Sequence, residues 1–162
     1  MKILVISDSH GRGEYLVRAI SMHRDAKYVL FLGDGYSDYT EVASRFPDKI
    51  FYAVRGNNDW YCDEPYTRTL TLCNHKILML HGHTEGVKFG LGQLCLRARA
   101  EEDEIVLFGH THEPTEHTEC FGSSRIYFFN PGSCGYGGYR GNTYGILTID
   151  ESNILFSIGE IK

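Results

Sequence analysis

Lys2-Ile3-Leu4-Val5-Ile6-Ser7, followed by Asp8-Ser9-His10-Gly11, is the stretch whose reading decides the fold. Four consecutive aliphatic residues between polar ones suit a strand buried on both faces, as in the middle of a mainly parallel sheet. The strand empties into a carboxylate and an imidazole two positions apart. In extended backbone residues i and i+2 point to the same side, so Asp8 and His10 are expected to reach one ion together just beyond the strand's carboxyl end. Four later apolar runs end in the same way. Tyr28 to Leu32 empties into Gly33-Asp34-Gly35, Ile50 to Val54 into Gly56-Asn57-Asn58-Asp59, Lys76 to Leu80 into His81-Gly82-His83, and Ile105 to Phe108 into Gly109-His110-Thr111-His112.

Between these runs the spacing predicts a helix over Glu14 to His23, and a second around Tyr39, Val42, Ala43 and Phe46 that Pro47 ends. Asp38 and Glu41 have the spacing of a capping box for that second helix. The resulting β-α-β-α-β order implies a parallel sheet with right-handed crossovers. Thr69 to Leu72 and Lys76 to Leu80 read as a hairpin around Cys73-Asn74-His75. Val87, Leu91, Leu94, Cys95 and Ala98 recur at helical spacing, though Gly90 and Gly92 weaken the first turn. The tail carries three strand-like runs, Ile126 to Phe129, Tyr144 to Ile149 and Ile154 to Ile158, the last two joined as a hairpin through Asp150-Glu151-Ser152-Asn153. The expected architecture is α/β, two mixed sheets packed face to face with helices outside, in one domain over residues 1–162.

Composition narrows the function classes. With 42% hydrophobic and 23% charged residues in 162, the chain has the makings of a full globular core. A net charge of -5 argues against a protein that binds nucleic acid by neutralising phosphates. Five cysteines without C-x-x-C spacing favour reduced thiols over a disulfide framework or a zinc ribbon. The first apolar run is too brief for a signal peptide, and no run approaches membrane-spanning length. A cytoplasmic location and no membrane partner are the expectations.

Asp8, His10, Asp34, Asn57, His81, His110 and His112 all lie at the carboxyl ends of apolar runs, where open α/β sheets bind ligands. Taken singly, an Asp-x-His or a Gly-Asp-Gly is a turn before it is a ligand pair. The bland reading of all of them needs five coincidences at the same end of a strand. The donors outnumber what one ion uses, so two ions sharing a carboxylate is the economical reading, with Asp34, flanked by glycines, as the bridge. Imidazole mixed with oxygen donors suits manganese, nickel, iron or zinc, and manganese is expected first. His23, His75 and His117 lie outside these motifs and keep the bland reading.

Asp8-x-His10, Gly33-Asp34, Gly56-Asn57-x-Asp59, His81-Gly82-His83 and Gly109-His110-Thr111-His112, in that order, resemble the signature of the calcineurin-like metallophosphoesterases. With no inserted cap and with Asn130-Pro131-Gly132-Ser133, the chain is similar to the small single-domain phosphodiesterases of bacteria and archaea in that superfamily. The resemblance implies a four-layer α/β/β/α sandwich and a dinuclear centre. In it Asp8, His10, Asp34 and His112 would hold one ion, and Asp34, Asn57, His81 and His110 the other. Such ions, about 3.5–4 Å apart, activate a shared water for in-line attack on phosphorus. His83 would stand beside the site, orienting a ligand or contacting phosphate. Many members carry histidine where this chain has Asn58, and an amide cannot protonate a leaving oxygen. Phosphodiesters or activated aryl esters are therefore expected over alkyl monoesters, with Asn58 and His83 as catalytic or substrate-binding positions. Asp59, which orients that histidine in relatives, is a further catalytic candidate with a purely structural alternative.

Arg55 and Arg140 are candidates for gripping phosphate. The expected partner is a small phosphodiester, with no stable nucleic-acid complex and with homodimerisation open. Two other readings stand beside the hydrolase. A catalytically weak binding scaffold of this fold is exemplified by the related retromer subunit. A metallo-β-lactamase-type zinc hydrolase would need a His-x-His-x-Asp-His run, which is absent.

Overall fold

Alternate side chains of the first strand enter two different cores, which fixes the layering. In the computed structural model, which describes residues 1–162, Ile3 and Val5 belong to a core shared with Ile77, Met79, Ile105 and Leu107, whereas Leu4 and Ile6 pack with Leu16, Ala19 and Ile20. A strand buried on both faces can do this only between a second sheet and a helical layer.

In chain order the elements are β1 (Lys2–Ile6), α1 (Gly13–Met22), β2 (Tyr28–Phe31), α2 (Tyr36–Ser44), β3 (Ile50–Ala53), β4 (Thr67–Leu72) and β5 (His75–Leu80). They continue with α3 (Gly92–Glu101), β6 (Ile105–Leu107), β7 (Thr115–Phe121), β8 (Ser124–Asn130), β9 (Thr143–Ile149) and β10 (Ile154–Glu160). One sheet runs β10-β9-β1-β2-β3 and the other β4-β5-β6-β8-β7. α1 and α2 cover the first sheet, and a third core, with Leu78, Leu80, Val106 and Phe128 against Leu94 and Ala98, seats α3 on the second. This is the expected four-layer α/β/β/α sandwich. Each fully buried Ile or Leu in these layers contributes about 1.5–3 kcal/mol relative to exposure.

β1, β2 and β3 are mutually parallel, as are β5, β6 and β8. Their carboxyl ends meet along one rim: Cys134 N–H donates to the Ser7 carbonyl, Gly109 N–H to the His81 carbonyl and Ser133 Oγ–H to the Asp8 carbonyl. No helix is long and apolar enough to cross a membrane.

Three local expectations need correction. The expected single helix after His83 is broken: a 3-10 turn over Val87–Phe89 ends at Gly90, whose φ of 126 stops it, and α3 starts only at Gly92. β7 was not foreseen from sequence, because none of its residues is fully buried and it is held at the sheet edge by its ladder to β8, with only Phe121 packed against a core. Asp38 does not cap α2, which begins two residues earlier at Tyr36 with Gly35 as its N-cap. Instead Asp38 accepts from Ser9 Oγ at 2.5 Å and Gly11 N at 2.9 Å, tying the exit of β1 to the first turn of α2.

Candidate metal centre

The exits from the strands are turned sharply, and the turns carry the ligands. Asp8 (φ 57), His10 (φ 48), Asp34 (φ 59), His110 (φ 69) and His112 (φ 62) all have left-handed backbone. Asp and His tolerate this region better than most residues, but it still costs of order 1–3 kcal/mol at each position. Asp8 and His10 therefore converge through a tight turn, not through the extended i, i+2 geometry expected from sequence. Glycine is required next to them for closeness. A Cβ on Gly56 would collide with the Asp34 carboxylate and backbone, and one on Gly109 with Ser7 Oγ and with Asp8 Oδ2.

Asp8 is fully buried, and its two oxygens have separate tasks. Oδ2 accepts from Ser7 Oγ at 2.5 Å and from His110 N at 3.2 Å. Oδ1 has no hydrogen-bond partner and faces three imidazoles, with His112 Nε2 at 3.1 Å, His10 Nε2 at 3.7 Å and His81 Nε2 at 3.9 Å. Asp34 Oδ2 lies 3.4 Å from His81 Nε2 and 3.9 Å from His10 Nε2. Two overlapping donor groups result, Asp8-His10-His112 and Asp8-Asp34-His81. Asp34, the expected bridge, reaches an imidazole of each group, and Asp8 does so as well.

These groups fit a divalent cation. His10 and His112 present their Nε2 atoms to each other at 3.1 Å, and His81 Nε2 meets Asn57 Oδ1 at 3.1 Å. Donors held about 2.1 Å from one ion stand about 3.0–3.4 Å apart in octahedral or tetrahedral arrangement. The His81 Nδ1–H donates to the Leu32 carbonyl at 2.7 Å, which turns Nε2 toward Asp34 and Asn57. Lone pairs on Nε2, Asp34 and Asn57 then face one another and call for a positive charge between them. The His110 ring stands beside them, 5.0 Å from that of His81 between centroids.

The titration behaviour reflects the same crowding. Burial works to raise the Asp8 and Asp34 carboxyls, but the histidines around them, with Ser7 at Asp8 and Asn58 at Asp34, more than offset it and hold both below the usual range. His10 is pushed up by the Asp8 carboxylate 3.7 Å away, and His81, despite burial, by Asp34 and Asp8. Burial and the neighbouring His81 bring His110 down to about 4 and lower His83 too, so both rings are neutral at pH 7.

A family model of the calcineurin-like phosphoesterase superfamily domain matches residues 1–152. The chain belongs to this superfamily. It is 37% identical over 113 residues to the probable metallophosphoesterase YsnB of Bacillus subtilis, an alignment covering 69% of this chain and 64% of that protein. Among solved structures, a conserved predicted phosphoesterase from Streptococcus pneumoniae is similar at 29% identity and TM-score 0.81, covering 99% of this chain and 92% of that one. Vps29 of Entamoeba histolytica, as a single mutant, shares the fold at 24% identity and TM-score 0.74, covering 98% and 91%.

Around the superfamily's donor groups, the remaining candidates take distinct positions. Asn58 spends its amide on the centre: Nδ2–H donates to Asp34 Oδ2 at 2.6 Å and its backbone N–H to Asp34 Oδ1 at 2.8 Å. Sequence reasoning missed this orienting contact, for which no spacing signal exists. Asp59 is buried and accepts four backbone N–H groups, those of Asp34, Gly35, Tyr36 and Gly56, each at 2.8 Å. Its carboxylate thus caps α2 from the β3 exit and pins that exit to the β2 exit, which agrees with the structural alternative and leaves no oxygen for chemistry. His83 is half-buried, its Nδ1 unpartnered, with its ring 5.5 Å from His81.

Arg55 lies over the Tyr66 ring at 5.2 Å, and Arg140 lines a 520 Å³ cleft with His112 and Tyr136. Asn130 and Ser133 use their side chains: Asn130 Nδ2 donates to the Gly109 carbonyl and Thr111 Oγ1, and Ser133 Oγ bridges Asp8 and Tyr136.

Proposed function

We propose that this protein is a metal-dependent phosphodiesterase with a dinuclear centre. The observation that carries the reading is Asp8 Oδ1, a buried carboxylate oxygen without a hydrogen-bond partner among the Nε2 atoms of His10, His81 and His112. Asp8, His10, Asp34 and His112 would hold one divalent ion and Asp34, Asn57, His81 and His110 the other, manganese first among the ions that a mix of imidazole and oxygen donors suits, with nickel, iron and zinc beside it. Bound there, the ions supply Lewis acidity to the phosphoryl oxygens and lower the pKa of an attacking water.

The chain's own residues do the rest. Asn58 and Ser7 hold the two carboxylates in orientation. The neutral ring of His83 can present an N–H to a phosphoryl oxygen. The amide of Asn58 cannot protonate the leaving oxygen, so substrates with stable leaving groups are favoured, aryl phosphodiesters above alkyl monoesters.

The test is to strip the protein of metal, reconstitute it with each divalent ion in turn, and assay an aryl phosphodiester beside the matching monoester. Two ions per chain and diester turnover are expected, and Asp34→Ala should lose both. Asn58→His should improve the relative rate on poor leaving groups. Ion uptake without any hydrolysis would turn the reading toward a binding scaffold.

A further inference from the structure

Two tyrosines stand on the rim of the site, Tyr136 against the rings of His10 and His112 and Tyr66 against that of His83, and each has an arginine over its ring. Tyr136 is 61% exposed, with its ring centroid 6.2 Å from that of His10 and 6.4 Å from that of His112. The Arg12 guanidinium lies 5.4 Å over its ring. Tyr66 is 50% exposed and lies 5.7 Å from His83, whose ring in turn adjoins those of His81 and His110. The Arg55 guanidinium lies 5.2 Å over Tyr66.

Half or more of each tyrosine is exposed. The histidines meet the tyrosines at interplanar angles of 78° and 53° for Tyr136 and 53° for Tyr66, so none of them is stacked flat on a tyrosine ring. The arginine covers one face, steadies the ring by cation–π attraction, and places positive charge beside the path of a phosphodiester. What remains on each side is a flat, partly dry surface. An alkyl substituent gains little there beyond contact, whereas a planar ring gains stacking.

We propose that Tyr66 with Arg55 and Tyr136 with Arg12 form two stacking platforms, and that the substrate is a phosphodiester joining two nucleosides. This rests on the phosphodiesterase reading above. A phosphate seated between the donor groups has one substituent directed past His10 and His112 and the other past His83, so each base meets one tyrosine. The net charge of -5 fits a short substrate held by stacking and by the centre, not a long strand held through its phosphates. Arg55, expected from sequence to grip phosphate, gains a second task as the support of a platform.

The experiment is calorimetric titration of metal-loaded protein with thymidylyl-thymidine and with diethyl phosphate, repeated on Tyr66→Leu, Tyr136→Leu and the two Tyr→Phe variants. The dinucleoside should bind more tightly, and each Leu variant should shrink that advantage by about 5- to 150-fold, the range for loss of one base–aromatic stack. Both Phe variants should keep it. Equal affinity for the two ligands overturns the proposal, as does an advantage that survives either Leu substitution. Turnover of an aryl phosphodiester is followed on the same samples. Tyrosine-dependent dinucleoside binding without turnover would sustain the platforms while overturning the hydrolase reading.

Discussion

His75 and His81 stand at the two ends of β5, 6% and 1% exposed, and both find only acceptors around their rings. His75 meets Glu104 Oε2 at 2.8 Å through Nδ1 and the Asp150 carbonyl at 2.7 Å through Nε2. An imidazole bonded to two pure acceptors must donate from both nitrogens, so His75 is held as the cation, and a proton completes its site. His81 also donates to a carbonyl through Nδ1, but its Nε2 faces Asp34, Asn57 and, more distantly, the unpartnered oxygen of Asp8. One proton cannot satisfy so many lone pairs. A buried histidine with acceptors is thus no sign of a metal by itself. What distinguishes the ligand is how many further acceptors converge on its free nitrogen.

The sharpest way to break this contrast is to make the same change at both ends. His81→Gln should weaken ion uptake and phosphodiester kcat/KM by more than about 100-fold, beyond what loss of a ligand-orienting partner costs. His75→Gln should leave stoichiometry intact. Elemental analysis and kinetics on the two variants check this. Wild type should also gain about 2.7 kcal/mol of stability for each site at an ion concentration 100 times its Kd, and His81→Gln should forfeit the gain from the site that His81 completes.

Asp59→Ala comes next, because it strips the partner from four buried or half-buried backbone N–H groups. A loss of about 3–5 kcal/mol in denaturant unfolding is expected, less than four charge-assisted bonds of about 1.5–3 kcal/mol each would sum to, because water can reach some of the freed N–H groups. A loss below 1 kcal/mol would mean that the loops bearing Asp34 and Asn57 hold their shape without it. Asn58→Ala should leave the fold intact and weaken ion affinity about 10–100-fold by freeing the Asp34 carboxylate. Competition with a chelator measures that directly.

The smallest effect is the pH dependence of His75. Burial lowers its pKa, but the bonds to Glu104 and to the Asp150 carbonyl outweigh this and raise it above its ordinary value. A raised folded-state pKa adds stability that is complete below about pH 6.5 and is lost as pH rises through the folded value. The difference in unfolding free energy between wild type and His75→Gln should therefore be largest near pH 5.5 and shrink toward pH 8. A difference that grows with pH would show His75 to be held neutral.

Much of this was legible in the chain because its chemistry follows its hydrophobic pattern. The runs from Ile3, Tyr28, Ile50, Lys76 and Ile105 read as strands, and the donors come directly after them. β7 was illegible because Thr115–Phe121 fully buries no side chain, so hydrophobicity carries little trace of it. The tasks of Asp38, Asn58 and Asp59 were hidden for another reason. A carboxylate or amide that serves backbone groups or a neighbour 24 or more positions away leaves no periodicity, and Asp38 looked like a local cap because its spacing permits one.

The left-handed turns at Asp8, His10, Asp34, His110 and His112 also restrict how the site can change. Short polar residues that bond to their own surroundings, and glycine, are what such backbone accepts at modest cost. Asp and His are enriched in this backbone region, and β-branched side chains are disfavoured there. The main chain therefore biases these five corners toward oxygen and imidazole donors, a set that suits harder and borderline cations more than soft, thiophilic ones.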